Sequence, residues 1–576
     1  LEKMDKKEVS KILHQIGVML ELRGENPFKA RAYYNGAKKI EALDEDINQV
    51  VREGRLREIP GIGATLAENI EELVMTGQLS YFEELARDLP EGLFDILRLP
   101  GLGVKKVSKL YRELGISNLG ELEYACIENR LIELSGFGEK TQRKILKGIK
   151  TLKKFQGQYL YANIIDYAIK IIEIIRTWPE VKKAELAGSI RRKKELIKDI
   201  DIVVVTFEPE KVMERLIKAD FTEEVIGSGP TKTSVRLKEG LNLDLRAVKP
   251  DEYVYALHHF TGSKEYNIAM RARAKNMGLK INEYGIFRDD KRIECKDESE
   301  FFKTLGLTYI PPELRENMGE IAAAENDELP ELITREDIQG VFHVHTRYSD
   351  GVDTIPELVR ACRERGLKYL GISDHSKTAF YAHGLKVSDV KAQWEEIDAL
   401  NAELEDFYIF KGIEAEILPD GSLDYSEEIL KGFDFVIASI HSNFNGTEEE
   451  MTNRLLKAIE NPYTTMLGHL TGRLLLSREG YPVDIYRVIR ACAEHQVIIE
   501  LNANPYRLDL DWRYCKYAIE EGVLISINPD AHRISGLDDL NYGIAIGRKG
   551  WLTKENVFNA LSIEEVKAYL KRRKER

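Results

Sequence analysis

Two sets of side chains in this 576-residue chain have the types and spacing for metal-dependent chemistry at phosphorus. The first lies in "AGSIRRKKELIKDIDIVVV", where Asp199 and Asp201 sit two apart. On a strand that spacing puts both carboxylates on one face. They repel each other unless a divalent cation lies between them, and Mg²⁺ takes oxygen ligands of this kind. "LNLDLRAV" offers Asp244 as a third ligand from a neighbouring strand. A cluster of three carboxylates holds two metals for in-line displacement, one activating the attacking hydroxyl and one stabilising the leaving group. Ser189, behind Gly188, and Arg192 would face a triphosphate bound there. An isolated DID, by contrast, is often just the exposed face of a half-buried strand.

The second set opens at "FHVHTRYSDG", with His343 and His345 two apart and Asp350 five further on. His375, Glu414, His441 and His469 follow in "SDHS", "GIEAEIL", "ASIHS" and "LGHLTGR", and Asp530 and His532 in "NPDAHR". A lone histidine on an apolar strand is usually a satisfied core residue. Six of the chain's 11 histidines together with three carboxylates are not explained that way. Mixed imidazole and carboxylate ligands suit Zn²⁺, Mn²⁺ or Fe, and nine ligands are enough for three ions. Such a site lowers the pKa of a bridging water and clamps a phosphate, as phosphoester hydrolysis requires. Arg473 and Arg507 are candidates to reach that phosphate, and His383 and His495 fall outside the pattern.

A third pattern is a repeat: "EIPGIGATLAENI", "RLPGLGVKKVSKL" and "ELSGFGEKTQRKIL". Gly61 and Gly63, Gly101 and Gly103, and Gly136 and Gly138 let the backbone approach a phosphate without a side chain in the way. The helix that follows offers free N–H groups and a positive dipole end. One such phrase is as often a mere turn between packed helices. Three in about 80 residues point to contacts with a nucleic-acid backbone, which carry no base sequence.

These groups need elements to position them. The first 155 residues read as helices throughout. "AELAGSI", "IDIVVVTF", "TSVRL" and "LNLDLRAV" read as strands of a mixed sheet, and 253–318 as a small mixed subdomain. The acidic stretch 320–340, with Pro330, is the linker candidate. Beyond it, apolar strands starting near 341, 369, 408, 434, 465, 497 and 523 alternate with helices. That alternation predicts a parallel barrel one strand short of the usual eight, with the ligands at strand ends.

Composition is that of a multidomain globular chain, 43% hydrophobic and 31% charged. The net charge of -13 argues only weakly against nucleic acid, because binding depends on where charge sits. The five cysteines form no CxxC pair, which gives no thiolate zinc site or disulfide framework. No run approaches a membrane span and the first residues lack the apolar core of a signal peptide, so a cytoplasmic location is expected.

Gly188-Ser189, Arg192, Asp199-Ile200-Asp201, Asp244, "FTGSKEYN" (260–267) and "INEY" (281–284) together resemble the family X DNA polymerases, the beta-like group. The resemblance runs in order over residues 1 to 318. It implies that the turn holding Gly262 and Ser263 lies next to the incoming nucleotide, with His259 and Phe260 beside the sugar, Asn267 near the base and Arg271 toward the template. Lys198 departs from the pattern, since family members commonly have a small residue there. The three glycine phrases resemble helix-hairpin-helix motifs, which implies that Gly61, Gly63, Gly101, Gly103, Gly136 and Gly138 bind DNA. The first eighty residues resemble the family's lyase domain, whose activity needs a Schiff-base lysine. The position after Glu68 is Asn69, and Thr65 lies one turn earlier, so the nucleophile is missing.

Residues 338–576 resemble the polymerase-and-histidinol-phosphatase (PHP) domain, a metal-dependent phosphoesterase, with all nine usual metal positions occupied. The full order resembles bacterial and archaeal polymerases of family X. It implies a lyase-like helical domain (1–85), a second helical subdomain with two further helix-hairpin-helix motifs (86–155), an α+β nucleotidyltransferase palm (156–250), a nucleotide- and template-binding subdomain (251–318), a linker (319–337) and an irregular (β/α)7-type PHP barrel (338–576). The expected function is template-directed gap filling with 3′–5′ exonuclease or 3′-end phosphoesterase activity, in base excision repair. Expected cofactors are Mg²⁺ in the palm and three Mn²⁺ or Zn²⁺ ions in the barrel. Expected partners are gapped or nicked DNA and dNTPs, with no membrane, and the protein is expected to be a monomer. The rival readings are a template-independent nucleotidyltransferase and a DNA-binding scaffold with a structural PHP domain.

Overall fold

The computed structural model describes Met4 and residues 6–43, 45–99, 101–153 and 157–574. They form two compact units, 1–150 and 151–576. The boundary expected between 155 and 156 lies outside the described residues. Among the described residues, no helix is long and apolar enough to cross a membrane.

The first unit is helical, as the sequence predicts. In the helix Lys6–Leu22, Val9, Leu13, Ile16 and Leu20 follow the 3.6-residue period and are fully buried. Each of the three Gly-x-Gly phrases leads into a helix, at Ala64–Thr76, Val104–Leu114 and Glu139–Lys153. Gly61, Gly101 and Gly136, the first of each pair, have φ of 95°, 85° and 89°, which a side chain would strain. A Cβ on any of Gly61, Gly63, Gly101, Gly103, Gly136 and Gly138 would meet open space, so the hairpin tips are unobstructed. Gly63 and Gly103 are N-caps without a side-chain cap, which leaves their helices' first N–H groups available.

The second unit opens with a five-stranded mixed sheet. Its strands are β1 (Val181–Leu186), β2 (Asp199–Thr206), β3 (Thr222–Ser228), β4 (Lys232–Leu237) and β5 (Asn242–Val248), in the order β1-β2-β5-β4-β3. β2 and β5 are parallel and the other pairs antiparallel. The expected strand "AELAGSI" stops at Leu186; Gly188 takes φ of 58° and turns the chain into a helical turn, Gly188–Arg191. Three helices, Tyr253–Thr261, Lys264–Asn276 and Glu298–Thr304, and a three-stranded antiparallel sheet make up the mixed subdomain.

The stretch expected as a linker is packed. It carries a helical turn, Glu320–Glu325, and the Glu320 carboxylate accepts from the N–H groups of Asn317 and Met318 at 2.7 and 2.6 Å. Leu332 and Ile333 are buried, and the Ile333 N–H donates to the Leu552 carbonyl.

Seven parallel strands follow in sequence order: β6 (Gly340–Val344), β7 (Tyr369–Ile372), β8 (Tyr408–Glu416), β9 (Phe435–Ser439), β10 (Met466–Leu467), β11 (Ile498–Asn502) and β12 (Ile525–Asn528). All seven lie where the alternation predicts them. A bridge between Val344 and Ala531 joins the first strand to the chain just past the last and closes the sheet.

Period-two alternation arranges the lumen in layers. Phe342, Tyr369, Phe410, Phe435, Met466 and Ile498 fill the end where the strands begin, stoppered by Phe558. Gly371, Gly412 and Gly468 occupy the next level, and the polar residues lie above. Gly371 and Gly412 are there because the aromatics need their space, and Gly468 because Ser439 and Ile437 do. A Cβ on Gly412 would lie 2.2 Å from Phe435 Cζ, and one on Gly371 2.3 Å from Phe342 Cδ1. Gly412→Ala is therefore expected to cost about 1–3 kcal/mol of barrel stability through overpacking. Calorimetric or denaturant unfolding checks this; an unchanged midpoint would show that the ring has room to move.

Candidate active sites

The palm site is built by strand pairing. Ile200, Ile202 and Val204 alternate into one core, while Asp199 and Asp201 lie on the other face. The parallel register of β2 and β5 sets Asp201 opposite Asp244. All three predicted carboxylates therefore share one face of the sheet. Gly188 borders them: a Cβ there would lie 2.0 Å from Asp201 Oδ2, so only glycine fits. Burial, then Asp199 and Asp244, push Asp201 up to about 7, and burial with Asp244 also raises Asp199. Carboxylates raised by burial and by one another suit a divalent cation with oxygen ligands. Asp244 already has partners that the sequence reading missed: Ser234 Oγ donates to it at 2.6 Å and Lys232 Nζ lies at 3.1 Å. Both come from β4, and their proximity depends on a register that the sequence does not display.

The predicted nucleotide-side residues gather around the turn after Thr261. Ser189 is half-buried on the helical turn. Arg192 Nη1 donates to the Thr261 carbonyl at 2.5 Å, and its Nε to Glu316 at 2.9 Å. Gly262 has φ of 70°, and a Cβ there would come within 3.0 Å of Arg192 Nη1. Ser263 is buried and its hydroxyl accepts from the Tyr266 N–H, capping the next helix. Asn267 Nδ2 donates to the His259 carbonyl at 2.8 Å, Phe260 lies under the Arg246 guanidinium at 4.0 Å, and Arg271 is exposed. Arg191 and the fully buried Arg315 both pair with Glu298 behind this turn. Burial opposes that carboxylate's charge, yet Arg315 and Arg191 hold it down to about 2.

The predicted DNA-contacting glycines lie in the first unit, outside both carboxylate sites. Gly61, Gly63, Gly101, Gly103, Gly136 and Gly138 are all exposed. Each pair stands at the mouth of a helix, but Gly136 and Gly138 differ from the other two pairs in following Ser135 where those follow a proline.

In the barrel, the nine predicted ligands converge at the strand ends. They fall into four overlapping clusters whose ligand atoms lie within 4.8 Å of one another: His345, Asp350, His375 and His532; His343, His469 and Asp530; His343, His345 and Glu414; and His375, Glu414 and His441. Glu414 is the hub. Its Oε1 lies 2.9, 3.0 and 3.3 Å from His469, His441 and His343, and its Oε2 3.1 and 3.7 Å from His375 and His345. His343, His469 and Asp530 have positive φ, a conformation costing about 1–3 kcal/mol each that concentrates at functional sites. His343 Nε2, His345 Nδ1, both nitrogens of His375, Glu414 Oε2 and His469 Nδ1 are buried without a hydrogen bond. Buried polar atoms normally find partners. Imidazole and carboxylate groups turned inward together and left unsatisfied fit a site for several metal ions.

Three further acidic residues fix this shell and escaped the sequence reading. Glu500 is fully buried and accepts from His343 Nδ1 at 2.5 Å, from the His469 N–H, and from Asn502 and Asn528. Glu416 holds His441 Nδ1 at 2.6 Å. Both pairs turn the other ring nitrogen toward the cluster. Asp374 accepts from Thr346, Ser349 and Gln393, which pins the loop between His345 and Asp350. The available signal was an acidic residue inside an otherwise apolar buried strand, as in "VIIELN". Of the two candidate arginines, Arg507 is brought to the cluster, 3.6 Å from Asp530. Arg473 is not: it pairs with Asp511 and donates to the Arg507 and Leu508 carbonyls. His383 and His495 are exposed.

Comparison with known proteins follows this division. Residues 4–79 match a helix-hairpin-helix domain, 94–151 a SAM-like helix-hairpin-helix tandem, 256–316 the DNA polymerase beta thumb and 342–504 the PHP domain. The chain is 40% identical to the DNA polymerase/3′-5′ exonuclease PolX of Bacillus subtilis over 99% of its own length and 100% of that protein. It belongs to the PolX family. The repair DNA polymerase X of African swine fever virus is 33% identical over 30% of this chain and 98% of the viral protein. A protein of Thermoanaerobacter named "Probable phosphatase" is 30% identical over 40% of this chain and 94% of its own length. This chain thus joins parts similar to a repair DNA polymerase and to a probable phosphatase.

Glu500 gives the barrel site its first test. Glu500→Gln is expected to weaken metal retention about 10–100-fold, the usual effect of losing the partner of a ligating histidine. Mn²⁺ titration of the metal-stripped protein, followed by electron paramagnetic resonance, reads this directly. Unchanged affinity would reduce Glu500 to a packing residue.

Proposed function

We propose that this chain is a template-directed, gap-filling DNA polymerase that also repairs the 3′ ends it must extend. The observation that carries the reading is the pair of complete sites in one chain: three carboxylates on a palm sheet face beside a glycine-bordered turn, and nine buried ligands in a barrel. Full-length similarity to a DNA polymerase/3′-5′ exonuclease supports it.

Asp199, Asp201 and Asp244 would hold Mg²⁺ in the palm, and the nine barrel residues would hold three Mn²⁺ or Zn²⁺ ions. Bound cations supply Lewis-acid charge for phosphoryl transfer in the palm and an acidified water for hydrolysis in the barrel. The protein's own groups do the rest. Ser189 and Arg192 face the triphosphate, and the turn with Gly262 and Ser263 holds the nucleotide against Phe260. His259 lies beside the sugar, Asn267 near the base, and Arg271 reaches toward the template. Arg507 brings positive charge to a phosphate beside Asp530. The pairs Gly61 and Gly63, Gly101 and Gly103, and Gly136 and Gly138 present backbone N–H groups to DNA phosphates on either side of a gap. The domain limits expected from the sequence, with a monomeric protein acting in base excision repair, complete the proposal.

A template-independent transferase is the rival enzyme, and primer extension with and without template separates the two. The scaffold reading is disfavoured by the unsatisfied buried ligands, which cost stability unless a cation compensates them.

The two sites are separable by mutation. Asp244→Ala is expected to abolish gap filling and leave 3′-end hydrolysis intact. His441→Ala is expected to stop extension from a 3′-phosphate primer and spare extension from a 3′-hydroxyl primer. Gap filling at wild-type rate in the first variant would remove the palm assignment. A wild-type protein that, with Mn²⁺ or Zn²⁺, neither shortens nor dephosphorylates any 3′ end would remove the barrel assignment.

The lyase-like region is expected to hold DNA without cutting it. Asn69 donates to the Tyr33 hydroxyl at 2.7 Å, and Lys29 is raised above its usual pKa by hydrogen bonds to Tyr81 and Glu25, the opposite of what a Schiff-base nucleophile needs. Borohydride should therefore trap little protein on a 5′-deoxyribose phosphate end; efficient trapping would mean that a lysine elsewhere has taken the role.

A further inference from the structure

A polar seam runs between the barrel and the nucleotide side of the palm, and at its centre is a lysine that neither proposed reaction uses. Lys549 ends the helix α1 (Leu540–Lys549), on the outside of the barrel. Its side chain is fully buried, and its three N–H donors are all used. They reach the Arg192 carbonyl at 3.1 Å, the Glu313 carbonyl at 3.2 Å and Glu316 Oε1 at 2.5 Å. That same Glu316 oxygen accepts from Arg192 Nε at 2.9 Å, and Arg192 Nη1 holds the Thr261 carbonyl at the start of the nucleotide turn. Burial raises the Glu316 carboxyl, but Lys549 and Arg192 together keep it below the usual carboxylate range, so it is an anion shared by two cations.

The seam is rigid on the barrel side. A Cβ on Gly543 of α1 would lie 2.5 Å from the Ala503 Cβ and 2.6 Å from Ile527 Cγ2. The helix therefore lies directly against β11 and β12, the strands that lead to Asn504 and Asp530. Arg548 bonds Glu313 at 2.9 Å, and Trp512 Nε1 donates to Glu195 at 3.1 Å, holding the same two surfaces together.

We propose that Lys549 is a positioning residue for nucleotidyl transfer, supplied to the palm by the barrel. Arg192 and Glu316 alone cancel, and a neutral pair has little attraction for a triphosphate. Burial draws Lys549 down to about 8, still above neutral, so at pH 7 the buried trio carries close to one net positive charge, and the Lys549 bond to the Arg192 carbonyl fixes where that charge is presented. In this arrangement the PHP domain assists polymerisation through one ammonium group, independently of its metals. The inference rests on the reading of Arg192 as a triphosphate contact.

The test is single-nucleotide gap filling by the full-length, metal-loaded protein, with dNTP titrated and 3′-end hydrolysis measured in parallel. Lys549→Met is expected to raise KM for dNTP about tenfold, the usual worth of one charge-assisted hydrogen bond, with kcat changed far less and hydrolysis unchanged. Lys549→Arg, which keeps the charge, should stay near wild type. Lys549→Met combined with Glu316→Gln restores one net positive charge and should recover much of the KM. Glu316→Gln alone, which leaves two cations, should lower KM and carries the test if Lys549→Met does not fold. A wild-type KM in Lys549→Met, or an equal loss of both activities at unchanged KM, would make Lys549 a packing residue and overturn the inference. A wild-type protein that fills no gap would instead overturn the polymerase reading beneath it.

Discussion

Glu414 is almost wholly buried at the mouth of a closed barrel, and its two oxygens face five imidazoles. Taking a carboxylate out of water costs several kcal/mol unless opposite charge and hydrogen bonds replace the water. The residues around it supply much of the opposite charge, and the atoms left without a hydrogen bond are the part a cation would complete. His343 and His441 are turned toward it by Glu500 and Glu416, and Asp374 holds the loop that brings in Asp350. The opposing charges hold Glu414, Asp350 and Asp530 well below the usual carboxylate range despite burial. Similar physics operates in the palm with fewer partners. There Lys232 lies beside Asp244, while burial, with Asp199 and Asp244 close by, pushes Asp201 up.

Much of this was legible in the sequence because two periods are. Spacing of two along a strand gave Asp199 with Asp201, whereas His343 and His345 converge because His343 takes φ of 59° at an irregularity in β6, which ends at Val344. Repeated strand–helix alternation placed all seven barrel strands and so put the nine ligands at strand ends. What stayed hidden depends on register or on distant contacts. Ser234 and Lys232 meet Asp244 only through the β4–β5 pairing, and Glu500 reaches His343 across 157 residues of chain. Arg473 and Arg507 looked equivalent, yet Asp511 takes one of them and leaves the other for Asp530. The acidic stretch after residue 319 read as a linker by composition, but the charge of Glu320 is absorbed by backbone N–H groups and Ile333 is buried. Composition describes residues one at a time, and packing decides between them.

In the second unit the palm side and the barrel are packed against each other. Glu195, Glu313 and Glu316 on the palm side meet Trp512, Arg513, Arg548 and Lys549 on the barrel side. The Lys549–Glu316 and Trp512–Glu195 contacts are shielded from water, where hydrogen bonds to charged groups are worth about 1.5–3 kcal/mol each, while Arg513 lies at the exposed rim. A flexible tether would raise the local concentration of one activity near the other to about millimolar. A packed seam goes further and fixes their relative orientation, so the path between the two sites has a set length.

The glycine ring of the barrel has a consequence for traffic. Gly371 and Gly412 let the aromatic layer rise against the polar one, and Phe342, Phe410, Phe435 and Phe558 are buried together where the strands begin. The ligand cluster is thus backed by packed side chains on the side where the strands begin. A phosphoester that reached Glu414 from the strand ends would leave by the strand ends, so substrate and product would share one route.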